Sequence, residues 1–154
     1  LMTKPSGAER FHAATAHLAL EVLHMDASTH TAAEAAAAVG ASVEAIVKSL
    51  VFISGGKPLL VLASGPNHVN AQALGAHLGV SLERADARAV KVHTGWSIGG
   101  VPPFGHPVPL DTVMDENFFS LETLWAAAGS AQSVFSITPA RLRDITAAKI
   151  VKVV

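Results

Sequence analysis

The chain of 154 residues is 50% hydrophobic and 15% charged, a balance that excludes intrinsic disorder, and we expect one domain over residues 1–154. It contains no cysteine, which excludes disulfides and thiolate metal ligands, and its apolar runs are shorter than the roughly 20 residues of a membrane helix, so we expect a cytoplasmic protein without membrane contact. The formal net charge of −1 excludes the broad basic surface of duplex-binding proteins and leaves only local contact with nucleic acid.

Apolar periodicity divides the first half of the chain into helices and strands. In chain order the predicted elements are helix Ala8–Leu20, strand Glu21–Met25, a polar break over residues 26–30, helix Ala32–Ala38, a helical turn at Ser42–Ala45, and strands Ile46–Ile53 and Pro58–Ala63. Thr31 and Glu34 have the spacing of a capping box for the second helix, and Gly40 supplies its left-handed stop. Turn residues separate the last two strands, which predicts a central hairpin.

The second half of the chain mixes strands and helices without strict alternation. In chain order the predicted elements are helix Ala71–Leu78, helix Ala87–Val92, a loop over His93–Pro107, strands Val108–Met114, Trp125–Ala128 and Ser133–Ile137, helix Pro139–Thr146, and strand Lys149–Val154. Asn70, Asp86 and Thr138 are expected N-caps. This order predicts an α/β fold of the α+β kind, a single domain with a mixed, mostly antiparallel sheet surrounded by helices.

Lys48 interrupts an apolar run from Ala45 to Ile53. A buried ammonium is costly unless it is paired or hydrated, so the side chain should point into a cleft or reach a sheet edge. Periodicity alone favours the plainer interpretation, an exposed lysine on the solvent side of a half-buried strand.

The loop after the fourth helix is dense in residues that break regular structure. It holds Gly95, Gly99, Gly100 and Gly105 together with three prolines. Glycines in such a loop satisfy turns that need positive φ, and they also let backbone N–H groups approach a carbonyl oxygen or a developing oxyanion. The two interpretations are compatible, and both predict a loop of defined shape.

Other polar residues have less specific signals. The eight histidines lack the spacing of metal ligands, so we expect no metal, and His106 beside Pro107 is the histidine most suited to a site. Asp115 follows a predicted strand, where it can cap a helix or support Lys48 or a substrate amine. Trp96 and Phe104 are candidate pocket walls, with Trp96 a candidate for stacking on an adenine and Phe104 equally suited to packing in the core.

Three segments together carry a resemblance to a known family. They are Val47-Lys48-Ser49-Leu50, the loop Thr94-Gly95-Trp96-Ser97-Ile98-Gly99-Gly100-Val101-Pro102-Pro103-Phe104-Gly105, and Val113-Met114-Asp115. Their order and spacing resemble those of the YbaK/proline-tRNA-synthetase-associated editing domain over nearly the whole chain. The resemblance implies a mixed α/β domain that hydrolyses mischarged aminoacyl-tRNA at a site without metal or cofactor.

The resemblance also assigns residues and partners. It places the family's lysine at Lys48 and its GxxxP loop at Gly99–Pro103, and it implies the acceptor end of tRNA as substrate, with a synthetase or elongation factor as further partner. The chain departs from the family pattern in having Trp96 where tyrosine is usual and Ser49 where threonine or asparagine often follows the lysine. Residues 129–131 also lack a basic Gly-Lys-Arg-Gly pattern that some relatives have.

These observations lead to one main hypothesis, a free-standing trans-editing deacylase for tRNA carrying alanine, cysteine, serine or threonine, with tRNA for proline as a candidate. Lys48, Gly99 and Gly100 form its expected catalytic set. The expected substrate-binding residues are Val47, Ser49, Trp96, Ile98, Val101, Pro102, Pro103, His106 and Asp115. The alternatives are a non-catalytic module that binds aminoacyl-tRNA or a synthetase, and a small-molecule esterase.

Overall fold

Five α-helices lie in the part of the chain that the computed structural model describes, residues 4–26 and 31–154. They are α1 (Gly7–Thr15), α2 (Ala32–Val39), α3 (Ala71–Leu78), α4 (Ala87–Thr94) and α5 (Pro139–Thr146). Short 3₁₀ helices cover Ala16–Leu18, Val43–Ala45 and Glu116–Ser120. The N-caps predicted for α2 to α5 are confirmed, because the side chains of Thr31, Asn70, Asp86 and Thr138 each accept a backbone N–H of the first turn.

One eight-stranded sheet forms the centre of the fold, and its mixed, mostly antiparallel pairing confirms the predicted fold class. Its strands are β1 (Val22–His24), β2 (Ile46–Ser54), β3 (Lys57–Ser64), β4 (Glu83–Arg84), β5 (Asp111–Asp115), β6 (Leu124–Ala127), β7 (Ser133–Ile137) and β8 (Lys149–Val151). The order is β1-β7-β6-β2-β3-β5-β8, with β4 also paired to β2. Antiparallel pairs join β1 to β7, β2 to β3 and β4, and β6 to β7, and the other neighbours are parallel.

The two edges of β2 are paired differently. Along one edge β3 pairs with the strand from Val47 to Ser54, which confirms the central hairpin. Along the other edge, β6 pairs only with Ile46 and Val47, and β4 pairs only with Phe52 and Ile53. The sheet therefore opens beside the middle of β2, between β6 and β4.

Apolar side chains cover both faces of β2. Val47 and Val51 pack into the larger core with Phe11 of α1 and Phe104 of the glycine-rich loop. Phe52, on the opposite face, packs into a second core with residues of α3. Because successive side chains of a strand point to opposite faces, Lys48 lies on the Phe52 face and Ser49 lies on the Val47 face.

Several predicted element boundaries are wrong, for local reasons. The first helix ends at Thr15 rather than Leu20, because the chain tightens into a 3₁₀ turn and Ala19 then adopts a left-handed φ of 53°. Strand β5 begins at Asp111 rather than Val108, since Pro109 has no N–H for a ladder. The sequence pattern did not predict β4 or the 3₁₀ helix at Glu116–Ser120. In the predicted polar break, residues 27–30 lie outside the described residues.

Two glycine backbones meet closely where α1 passes the turn between β6 and β7. A Cβ on Gly129, whose φ is +95°, would collide with the carbonyl oxygen of Gly7, and a Cβ on Gly7 would collide with the carbonyl oxygen of Gly129. Gly56, in the β2–β3 hairpin, also has a positive φ of +80°, but nothing lies within 4 Å of its Cβ position.

Gly129→Ala should lower the free energy of unfolding by about 3 kcal/mol, because it adds a backbone collision to the cost of a left-handed φ. Gly56→Ala is the matched control and should cost about 1 kcal/mol, since it has only the conformational term. Urea denaturation of the two variants measures both values. Equal losses would contradict a close approach between α1 and the Gly129 turn.

Candidate functional site

A cavity of about 400 Å³ lies at the opening between β6 and β4. We call it the sheet cavity. Its walls come from β2, α2, α4, β4, β6 and the glycine-rich loop. The lining residues are Thr31, Ala32, Ala35, Ile46, Val47, Lys48, Ser49, Leu50, Val51, Gly65, Arg84, Ala85, Val90, Ile98, Gly99, Val101, Trp125, Ala126, Ala127 and Val134. The cavity therefore brings Lys48 and Ser49 of β2 together with Gly99, which lies about 50 residues later in the sequence.

Lys48 is held at this cavity by a polar contact. Its Nζ donates a hydrogen bond of 2.6 Å to the backbone carbonyl of Asn67, in the loop after β3. Burial lowers the pKa of Lys48 below its ordinary value of 10.5, and repulsion from Arg84 adds to this effect, while Asp115 acts against it. The lysine is thus neither fully exposed nor paired directly with a carboxylate.

Asp115 lies behind this contact with 0% of its surface exposed. Its Oδ2 accepts hydrogen bonds from the Ser64 backbone N–H at 2.9 Å and from Asn67 Nδ2 at 2.8 Å. Its Oδ1 accepts the backbone N–H of Asn117 at 2.9 Å, so the predicted capping role is confirmed. Asn67 therefore links the buried carboxylate to Lys48.

The two central glycines of the loop have different surroundings. Gly99 lines the sheet cavity and has a positive φ of 91°. Gly100 instead donates its N–H to the Ser97 carbonyl at 3.0 Å, and a Cβ there would lie only 3.1 Å from Ser130 Cα. Gly99 therefore borders the cavity, whereas Gly100 provides room for close backbone packing.

Ser49 lies on β2 next to Lys48 and lines the same cavity. Its Oγ is buried and, among the side-chain atoms of the described residues, is the one buried polar atom without a hydrogen-bond partner. Val47, Ile98 and Val101 are apolar residues that line the same cavity. This hydroxyl has both donor and acceptor capacity free for a molecule in the cavity.

Other residues expected at the site lie away from this cavity. Trp96 is 2% exposed, donates its indole N–H to Gly7 O at 2.9 Å, and packs under Arg10, so it supports the loop from behind. His106 and Pro103 line a separate cavity of about 270 Å³. Burial lowers the pKa of His106, and its Nε2 lies 2.8 Å from the Pro102 carbonyl. Pro102 is buried and lines neither of these two cavities.

Two residues that no sequence pattern indicated shape the electrostatics of the cavity. Arg84, on the two-residue strand β4, lines the cavity, with its guanidinium 5.7 Å from the ring centre of Phe52. Asn67 carries the contact from Asp115 to Lys48. No aspartate or glutamate is among the described residues that line the cavity, so its two cationic side chains favour an anionic ligand.

Two further features bear on the predicted chemistry. Residues 4–26 and 31–154 contain no cluster of three or more potential metal ligands among histidine and acidic side chains. None of the helices within these residues is long and apolar enough to cross a membrane.

Comparisons with known proteins agree with the fold and show the family of the chain. The family model described as the aminoacyl-tRNA editing domain matches residues 26–145. A solved structure described as a candidate trans-editing enzyme for prolyl tRNA synthetase is 38% identical, with a TM-score of 0.90 over 97% of this chain and 98% of that chain.

Two curated proteins are also similar in sequence. The uncharacterized protein YwhH of Bacillus subtilis (strain 168) is 28% identical over 84% of this chain and 83% of its own length. A proline–tRNA ligase of Nitratidesulfovibrio vulgaris (strain DP4) is 36% identical over 49% of this chain, which corresponds to 13% of the ligase. The residues matched by the family model make up most of the chain and include the Lys48 strand and the glycine-rich loop. The protein therefore belongs to the aminoacyl-tRNA editing domain family.

Proposed function

We propose that this protein is a free-standing deacylase that hydrolyses mischarged aminoacyl-tRNA in trans. The observation that carries the proposal is the placement of Lys48 and Gly99 on one cavity in a member of the editing-domain family. Similarity to YwhH over 83% of its length and to the candidate trans-editing enzyme over 98% of that chain supports action without a fused synthetase. The similarity to part of a proline–tRNA ligase makes tRNA for proline the first substrate to test.

The cavity suits the ester that joins an amino acid to the terminal ribose of tRNA. Lys48 holds a phosphate or ribose oxygen of the terminal nucleotide, and the Gly99 amide donates to the ester carbonyl. Water attacks the carbonyl carbon, and the bond from this carbon to the ribose oxygen breaks. One proton of the water passes to the ribose oxygen and the other is released to solvent, while the amino acid leaves as a carboxylate. The protein contributes mainly by positioning and by stabilising charge on the carbonyl oxygen.

Size selection follows from the apolar walls. Val47, Ile98 and Val101 limit the space for a substrate side chain beside the Gly99 amide. A hydrophobic pocket discriminates one methylene by roughly 1–3 kcal/mol, so small amino acids such as alanine, cysteine, serine and threonine are the proposed substrates.

Lys48→Ala should lower kcat/KM for deacylation roughly 10- to 100-fold, because a charge-assisted hydrogen bond to the nucleotide is lost. The measurement is release of labelled amino acid from a panel of mischarged tRNAs. Lys57→Ala removes an exposed lysine at the start of β3 and should retain full activity. Full activity of Lys48→Ala would contradict the proposed role, and a wild-type protein that protects the ester instead of cleaving it would identify a binding module.

Binding should also depend on pH through Lys48. Because burial and Arg84 lower its pKa, the ammonium loses its proton at lower pH than an ordinary lysine, and affinity for the nucleotide should weaken as pH rises through that range. Titrating adenosine 5′-monophosphate, which carries a phosphate and has no α-amino group of its own, between pH 8 and 10 measures this effect. Lys48→Arg keeps its charge and should give a flat profile. The same alkaline loss in Lys48→Arg would assign the titration to another group.

A further inference from the structure

The opening in the sheet leaves part of the outer edge of β2, the edge away from β3, without a strand partner. The parallel ladder to β6 ends at the pair Val47–Ala126, and the antiparallel ladder to β4 begins at the pair Phe52–Arg84. Between these ladders lies the segment from Lys48 to Val51, which borders the sheet cavity. The outward backbone groups of this segment therefore have no ladder partner in β6 or β4.

Alternation along the strand identifies which groups these are. The Val51 carbonyl accepts the Ala85 N–H at 3.0 Å, so the backbone of Val51 points away from β3. In a strand the N–H and C=O of residues two apart point to the same edge, so Ser49 also directs both groups away from β3. Neither group of Ser49 has a backbone hydrogen bond to β4 or β6 within the described ranges.

We propose that Ser49 selects the substrate, with its backbone pairing to the aminoacyl group as one strand residue pairs with another and its hydroxyl binding a hydroxyl on the substrate side chain. This inference rests on the proposed deacylase function. It assigns seryl and threonyl esters as the preferred substrate class. Alanyl esters also fit the cavity by size, so size alone does not separate them from seryl esters.

The backbone part follows from the shape of an α-amino ester. Its ammonium donor and carbonyl acceptor flank one α-carbon, as the N–H and C=O of a strand residue do. The Ser49 C=O accepts from the ammonium and the Ser49 N–H donates to the ester carbonyl, which is the double exchange of a hydrogen-bonded antiparallel pair. The carbonyl then has a donor on the β2 side as well as the Gly99 amide on the loop side.

The side-chain part follows from that pairing. Side chains of directly opposed residues lie on the same face of a sheet with Cβ atoms roughly 5 Å apart. A substrate paired to Ser49 therefore places its side chain beside that of Ser49, among Val47, Val51 and Val101. The Ser49 Oγ is buried there without a partner, and rotation about its single χ1 angle lets it turn toward the substrate hydroxyl.

Measuring kcat/KM for seryl- and alanyl-tRNA with the wild type and with Ser49→Ala tests the inference. The serine-to-alanine ratio should fall roughly three- to tenfold in Ser49→Ala, because one hydrogen bond specific to the serine substrate is lost. Ser49→Thr retains the hydroxyl and should keep more of the ratio than Ser49→Ala does. Ser54→Ala changes a serine at the hairpin end of β2, which does not line the sheet cavity, and should leave the ratio as in the wild type.

The outcomes separate this inference from the proposed function. A wild type that is active but prefers alanine, or a ratio unchanged by Ser49→Ala, would overturn the role of Ser49 and leave the deacylase function standing. A wild type inactive on the whole panel would overturn the deacylase function and this inference together.

Backbone pairing has an independent readout. In a ¹⁵N-labelled protein, an amide-linked seryl-adenosine that cannot be hydrolysed should shift the Ser49 amide proton downfield and slow its exchange with solvent. The N-acetylated analogue lacks the ammonium donor and should produce a smaller shift with weaker binding. An unchanged Ser49 amide in the presence of a bound analogue would exclude the strand-like pairing.

Discussion

The incomplete pairing of β2 is the constraint on which the site depends. Backbone N–H and C=O groups in a protein interior need partners, and a central strand normally finds them on both sides. Here β6 and β4 each take one end of the outer edge and leave the middle open. Full pairing with β3 along the other edge holds this stretch of β2 in place. The backbone groups that border the cavity are therefore positioned by the hairpin.

Two residues behind the cavity wall, Asn67 and Asp115, determine the position and charge of Lys48 at this opening. A lysine beside an arginine would move away unless something fixed it, and the Asn67 carbonyl does so at 2.6 Å. Asn67 is in turn tied to Asp115, whose position is set by backbone N–H groups of two different segments. The carboxylate thus offsets repulsion without neutralising Lys48 by direct contact, and the cavity keeps a net attraction for anions.

The sequence predicted the parts of the fold that local chemistry determines. Neighbouring residues determine helix caps such as Asn70, helix stops such as Gly40 and the hairpin between β2 and β3. The structure confirms all three. Strand β4 has only two residues and is a strand only because it pairs with the outer edge of β2. No local sequence pattern indicates it, and for this reason Arg84 was not predicted at the site. Trp96 was expected to contact a ligand, but its indole N–H donates a hydrogen bond to the Gly7 carbonyl instead. No sequence pattern indicates this contact, since the two residues are far apart in the chain.

The position of the glycine-rich loop depends on a helix that precedes the matched family region. That region begins at residue 26, whereas α1 ends at Thr15. Within α1, Gly7 accepts the Trp96 indole N–H, Arg10 covers the Trp96 ring, and Phe11 packs against Phe104 with ring centres 5.9 Å apart. The loop is therefore held at both of its aromatic residues by α1 on the side away from the sheet cavity. Since the proposed chemistry needs the Gly99 amide at a fixed distance from β2, α1 is as much a part of the site's geometry as the strand that carries Lys48.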